Sequence, residues 1–161
     1  QWEEQLAAPF AARPVRILRL VASGSSYNAA LCVRPYLRKW LDCEVLVTEP
    51  FTFCAYESCL PADELAVVIS QSGYSTNALH ALDTIRAKGR TAIGITSDPG
   101  SDFRTHADLL IDYGCGQESV GYVTMGVTAL CLFLCLFALR SAHLAGRLSE
   151  DGLAAERQKL A

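Results

Sequence analysis

The chain carries two similar serine-rich turns, Ala22-Ser23-Gly24-Ser25-Ser26-Tyr27-Asn28 and Ser70-Gln71-Ser72-Gly73-Tyr74-Ser75-Thr76. Each turn directly follows a run of aliphatic residues and leads into a segment whose apolar residues recur with helical spacing. A strand that ends in such a turn and continues as a helix aims free backbone amides and the positive end of the helix dipole at one point. Because neither turn contains Lys or Arg, the sequence predicts a phosphate site built from neutral dipoles and hydroxyls.

Strand and helix patterns alternate along the chain, which predicts an α/β fold with a parallel sheet covered on both faces. Pro35 falls inside the first predicted helix and should kink or split it. In a sheet of this kind, ligands bind at the carboxyl ends of the strands near the switch in strand order, where both turns fall. The predicted strands are 15–22, 44–48, 65–70, 91–96 and 109–113, and the predicted helices are 25–41, 51–58, 75–88 and 121–146.

We predict one domain over residues 15–146, preceded by an N-terminal segment, 1–14. Residues 147–161 form a charged tail, which is either helical or the start of a linker to a second domain. The sequence lacks an initiator Met, so we expect it to be part of a longer protein. Its polar, acidic beginning is unlike a signal peptide.

Composition narrows the classes of function. With 14 basic and 17 acidic residues, a net charge of −3 and no basic cluster, the chain is not expected to bind nucleic acid. The seven cysteines include no C-x-x-C pair, so they are expected to be reduced, small apolar residues of a cytoplasmic protein rather than metal ligands. The uncharged stretch 120–139 approaches the length of a membrane span, but its Gly and Thr residues favour a buried core helix. Apolar residues make up 51% of the chain, which favours a homodimer or larger assembly.

The two turns and a later Glu118-x-x-Gly121 segment, in this order and spacing, resemble the sugar isomerase (SIS) domain. The most similar members are enzymes of the glucosamine-6-phosphate synthase type and related amino-sugar or glycosylamine phosphate enzymes. The resemblance covers about residues 15–145 and implies a three-layer α/β/α sandwich, flavodoxin-like or Rossmann-like, around a five-stranded parallel sheet. The Ile69-Ser70-Gln71-Ser72-Gly73 run is the most specific part of the resemblance.

The resemblance also implies roles for individual residues. Hydroxyls and amides of the turns would hold the phosphate, and the start of the first turn would line the sugar. Tyr74-Ser75 stands where the synthase group carries a Glu-Thr pair, so Tyr74 should alter sugar specificity. Serine also caps ordinary helices, which is the simpler interpretation of Ser25, Ser26, Ser70, Ser72 and Ser75. The phosphate residues are Ser26, Ser70, Gln71, Ser72 and Ser75, and the sugar-lining residues are Ser23, Gly24 and Ser25.

Glu118 is the candidate catalytic base. Isomerisation of a sugar phosphate moves a proton between C1 and C2, and a partly desolvated carboxylate suits that task. A solvent-facing carboxylate at a helix start is an equally good interpretation of Glu118. In the family, a histidine that opens the sugar ring can come from a neighbouring subunit. His80, His106 and His143 are candidates, although each is better explained as a surface histidine.

Three functions compete at this stage. The first is a phosphosugar-binding SIS domain of an isomerase, aminotransferase or deglycase-type enzyme that moves protons without a cofactor or metal. The second is a non-catalytic SIS domain that senses a phosphosugar and regulates an attached protein. The third, a flavodoxin-like or dinucleotide-binding protein, lacks the G-x-G-x-x-G motif and leaves the second serine turn unexplained.

Overall fold

The computed structural model describes residues 2–12, 14–116 and 124–160. In these ranges five strands and seven α-helices alternate, and a π-helical segment, Phe53–Glu57, directly continues α3. The strands are β1 (Ile17–Ala22), β2 (Glu44–Thr48), β3 (Glu64–Ile69), β4 (Ile93–Thr96) and β5 (Leu109–Asp112). The helices are α1 (Trp2–Ala12), α2 (Gly24–Leu41), α3 (Pro50–Thr52), α4 (Thr76–Ala87), α5 (Phe103–His106), α6 (Met125–Leu144) and α7 (Glu150–Gln158).

All five strands are parallel and lie in the order β2-β1-β3-β4-β5. The chain therefore moves outward from β1 to β2 and then crosses to the other side of β1 to add β3, β4 and β5. The strand order reverses between β1 and β3, which creates a switch point at their carboxyl ends. The predicted α/β fold with a five-stranded parallel sheet is confirmed.

Helices cover both faces of the sheet and make two separate apolar cores. Along β3, Leu65, Val67 and Ile69 face the core beneath α1, α2 and α6. The alternate residues Ala66 and Val68 face the second core, beneath α4, α5 and the π-helical segment. Because β3 is buried on both faces, its sequence is apolar at successive positions, as expected for the centre of a parallel sheet.

Helix α6 is the single described helix that is long and apolar enough to cross a membrane by length and composition. Here it packs against α1 and α2, and buried residues make up 56% of its most apolar stretch. This packing is typical of a core helix, as predicted for the part of 120–139 that the structure describes.

Three local features differ from the expectations. Residues 2–12 form a helix, α1, although the sequence pattern gave no helix there. Helix α2 runs through Pro35 without splitting, because Pro35 lies on the exposed side, where water can reach the unpaired carbonyl of Leu31. The short helix expected at 51–58 is instead α3 followed by the π-helical segment.

A cluster of ion pairs around the buried Arg19 joins the π-helical segment to the sheet. Arg19 on β1 donates through Nε to Glu64 Oε1 and through Nη1 to Glu57 Oε2, both at 2.5 Å. The same guanidinium donates to Thr48 Oγ1 at 3.0 Å, and Thr48 Oγ1 donates to Glu57 Oε2 at 3.0 Å. Arg19 and Glu64 are both buried, so each charge relies on the other for its solvation.

We expect Arg19→Met to lower the free energy of unfolding by about 3 kcal/mol, since it leaves the buried Glu64 carboxylate without its cation. The matched control is Arg16→Met. Arg16 lies 81% exposed at 3.8 Å from Asp63, so its loss should change stability by less than about 1 kcal/mol. Urea unfolding of both variants measures the difference, and equal losses would contradict the role assigned to Arg19.

Candidate functional site

The two serine turns meet at the switch point of the sheet. Ala22 at the end of β1 is the register partner of Ile69 at the end of β3, so the turns leave adjacent strands side by side. Helix α2 begins at Gly24 and helix α4 at Thr76, both at this carboxyl edge. Two helix N-termini therefore flank one point, where backbone amides without an intrahelical acceptor gather.

The serines at these two helix starts do not act as ordinary caps. Ser23 is the N-cap of α2 and Ser75 the N-cap of α4, and neither side chain makes a capping hydrogen bond. Ser149, the N-cap of α7, accepts a hydrogen bond from the amide of Gly152 at 3.1 Å. Helix α7 also has Glu150 and Asp151 in its first turn, whereas α2 and α4 have no acidic residue there. Neither α2 nor α4 therefore compensates its positive end with a side-chain cap or an acidic residue of its own first turn.

The predicted site residues differ in their exposure. Ser23, Gly24 and Ser72 are exposed, Ser25, Gln71 and Ser75 are partly buried, and Ser26 and Ser70 are buried. Gly24 has a φ of +56°, and a Cβ built on it would project into open space. The first turn therefore presents bare backbone next to the serine hydroxyls.

The second turn is closed by hydrogen bonds of its own. The amide of Gly73 donates to Ser70 Oγ at 3.2 Å, and the amide of Tyr74 lies 3.4 Å from Ser72 Oγ. Gly73 has a φ of +68° and passes so close to Ser101 that a Cβ would overlap the Ser101 side chain. Only glycine fits this position, which explains the Ser-Gly pair in the motif.

The end of β4 braces the second turn through Thr96 and Ser97, two residues that were not predicted to belong to the site. The carbonyl of Gln71 accepts hydrogen bonds from Thr96 Oγ1 at 2.9 Å, Ser97 Oγ at 2.9 Å and the Ser97 amide at 3.0 Å. Thr96 and Ser97 follow the same pattern as the two turns, hydroxyl residues directly after an aliphatic strand. That pattern could have identified them as a third contribution to this edge.

Helix α6 also reaches the site. Its second residue, Gly126, lies so close to Gln71 that a Cβ there would overlap the side-chain amide of Gln71. Met125, which precedes Gly126, and Tyr74, three residues after Gln71, are both more than half exposed. The described rim of the site, 22–28, 70–77 and 124–128, contains no charged residue.

The titratable residues considered for the site are Glu118 and three histidines, and the structure describes only the histidines. Glu118 and Gly121 lie outside the described residues. His106 Nδ1 lies 2.8 Å from Asp83 Oδ1, and His143 lies 2.9 Å from the carbonyl of Leu148. Both histidines thus have partners away from the serine turns.

The cysteines are free thiols. Burial raises the pKa of Cys43 and of Cys135 to about 11, so both stay protonated and non-nucleophilic at neutral pH. No three His, Cys, Asp or Glu side chains in the described ranges are grouped to hold a metal ion. The expectation of a cofactor-free site stays a prediction.

Comparisons with known proteins agree with this geometry. The family model of the SIS domain matches residues 14–140. The isomerizing glutamine–fructose-6-phosphate aminotransferase 1 of Rattus norvegicus is 29% identical over 124 residues, which are 77% of this chain and 18% of that enzyme. The chain spans about a fifth of the length of the curated relatives it matches.

Two solved structures are similar over nearly the whole chain. A protein of Salmonella typhimurium LT2 assigned to sugar binding has a TM-score of 0.85 and 26% identity, covering 98% of this chain and 47% of that one. The C-terminal domain of glucosamine-fructose-6-phosphate aminotransferase from Francisella tularensis has a TM-score of 0.82 at 22% identity, covering 98% of this chain and 43% of that one. The switch-point turns, the fold around them and the match over 14–140 show that this chain belongs to the SIS domain family.

Proposed function

We propose that this chain binds a sugar phosphate, with the phosphate between the two serine turns, as a domain of a sugar-phosphate isomerase-type enzyme. The observation that carries the proposal is the register pair Ala22 and Ile69, which puts two uncapped helix N-termini side by side. A phosphate dianion would receive hydrogen bonds from the first amides of α2 and α4 and from the hydroxyls of Ser26, Ser70, Ser72 and Ser75. Ser23, Gly24 and Ser25 would face the sugar.

The chemistry of this edge supports an anionic ligand that carries a polar body. The serine hydroxyls both donate and accept hydrogen bonds, so they can serve phosphate oxygens and sugar hydroxyls alike. Helix dipoles favour negative charge at this point. The relatives that the chain matches include enzymes named for fructose 6-phosphate. A cytoplasmic location and a second SIS domain in the full-length protein are parts of the same proposal.

A phosphosugar sensor is the second candidate, and one observation favours it. The described rim contains no charged residue, and His106 and His143 are engaged elsewhere. In the enzymatic version of the proposal, Glu118 removes the proton from C2 of the sugar. In the sensor version, the same pocket binds the ligand and no proton moves.

Replacing a pocket serine should weaken binding without weakening the fold. We expect Ser72→Ala and Ser75→Ala each to raise the Kd for a sugar phosphate about tenfold or more, because each removes a hydrogen bond to a charged group. Stability should change by less than about 0.5 kcal/mol, since Ser75 makes no capping bond and Ser72 Oγ accepts one exposed hydrogen bond, from the Tyr74 amide at 3.4 Å. Calorimetric titration with fructose 6-phosphate, glucosamine 6-phosphate and related esters measures the affinities.

Ser149→Ala is the matched control. It removes a serine N-cap that does hold its helix, so it should lower stability by about 1 kcal/mol and leave the Kd unchanged. Unchanged affinity in both pocket variants would exclude the phosphate from the second turn.

The role of Glu118 separates the enzyme from the sensor. If Glu118 is the base, Glu118→Gln should abolish exchange of the C2 proton with solvent deuterium while the Kd stays within about threefold, a change below 1 kcal/mol. Glu49→Gln is the control, because Glu49 is an exposed carboxylate at the carboxyl end of β2. Proton NMR in D2O follows the exchange. Exchange retained by Glu118→Gln would eliminate this role, and no exchange by the unaltered chain would favour the sensor.

We also propose a homodimer formed through the outer face of α2 and α6. These helices pack against each other and expose Leu31 and Leu132, respectively. Residues 125–139 of α6, which include Leu132, contain no charged side chain, so this part of the face can meet its own copy across a two-fold axis without like-charge repulsion. Light scattering should report a dimer that Leu132→Glu converts to monomer. Phe51→Glu, which alters an exposed residue on the opposite side of the sheet, should leave the dimer intact. A monomeric unaltered chain would overturn the proposal.

A further inference from the structure

The carbonyl of Gln71 is held in one direction. From the described residues it accepts three hydrogen bonds, which come from two consecutive residues, Thr96 and Ser97, at the end of β4. Thr96 is fully buried and Ser97 is 8% exposed, so water does not compete strongly for these bonds. The peptide unit that joins Gln71 to Ser72 therefore has a fixed orientation.

Fixing that carbonyl also fixes the amide of Ser72. In a planar trans peptide, the N–H of one residue points opposite to the carbonyl of the residue before it. Because the Gln71 carbonyl points toward β4, the Ser72 N–H points away from β4. In the strand order β1-β3-β4, that is the side on which β1 and the first serine turn lie.

The amide of Ser72 donates no hydrogen bond to any residue that the structure describes. Its neighbours are occupied: the Ser70 amide donates to Ile95, and the Gly73 amide donates to Ser70 Oγ. Among the residues that the structure describes, the Ser72 amide has no hydrogen-bond acceptor. The Ser72 amide can therefore donate to a ligand, and its direction is fixed by the hydrogen bonds that Thr96 and Ser97 make to the Gln71 carbonyl.

We infer that Thr96 and Ser97 are positioning residues that aim the Ser72 amide at the bound anion. The inference rests on the proposed function, since it assumes that the anion lies between the two turns. Ser101 completes the brace, because it packs directly against Gly73 and limits where the turn can move. Neither hydroxyl of the pair needs to touch the ligand.

The test removes the two hydroxyls and follows both affinity and the Ser72 amide. The variant Thr96→Val/Ser97→Ala leaves the backbone bond from the Ser97 amide and keeps the side-chain volume nearly constant. The variant also removes Thr96 Oγ1 as the acceptor for the Asp98 amide. We expect the Kd for fructose 6-phosphate and for inorganic phosphate to rise about tenfold, as for the loss of the two neutral hydrogen bonds to the Gln71 carbonyl. In ¹H–¹⁵N spectra of the unaltered chain, the Ser72 amide proton should shift downfield on adding either anion, and the variant should lose this shift.

Two controls separate positioning from general damage. Thr96→Ser keeps the hydroxyl and should restore the affinity and the Ser72 shift. Thr105→Val removes another hydroxyl-to-carbonyl bond, from Thr105 to Asp102 at 2.9 Å on the surface, and should change neither. If the double variant does not fold, Ser97→Ala alone carries the test with an expected rise in Kd of about threefold.

Binding by the double variant within twofold of the unaltered chain, or a Ser72 shift that survives, would overturn the inference and leave the proposed function standing. If the unaltered chain binds neither fructose 6-phosphate nor inorganic phosphate, the proposed function fails and the inference falls with it.

Discussion

The parallel pairing of β1 with β3 is the constraint on which the site depends. These strands are not consecutive, and the chain must complete α2, β2, α3 and the π-helical segment before β3 can join β1. Once they pair, the register of Ala22 with Ile69 makes both serine turns begin at the same level along the sheet. A slip of one residue would turn the apolar residues of β3 to the opposite cores, so the two packed faces enforce this register.

The fold uses its serines in two different ways. At α7, Ser149 and two acidic residues satisfy the helix start and compensate its dipole. At α2 and α4 the same residue type stands at the N-cap but makes no cap, and acidic residues are missing from the first turn. Each such omission forgoes about 1 kcal/mol of helix stability. Two neighbouring helices that begin without a stabilising cap are typical of a site whose backbone donors bind a ligand.

Local patterns in the sequence predicted most of the fold, and long-range contacts account for what they did not. Strand β2 was placed at its observed residues, and α4 within one residue at each end, because both have strong periodicity and clear stops. Helix α1 contains Pro9 and became apparent only through packing of residues such as Leu6 and Phe10 against α6. The π-helical segment depends on Arg19, which lies 38 residues away from Glu57 in the chain. No local pattern encodes a partner so distant.

The candidate site divides in the same way, and the division has a physical consequence. The turns could be recognised from sequence because their donors are local, whereas the brace by Thr96 and Ser97 joins residues 25 and 26 positions apart. A lysine or arginine beside the phosphate would add roughly 4 kcal/mol of attraction at 4 Å with an effective dielectric constant of 20, whatever its exact direction. Neutral amides and hydroxyls give less and depend strongly on angle. The affinity of a site without cations therefore depends on the orientation of its backbone amides. Buried hydroxyls that fix this orientation, such as those of Thr96 and Ser97, then influence affinity directly.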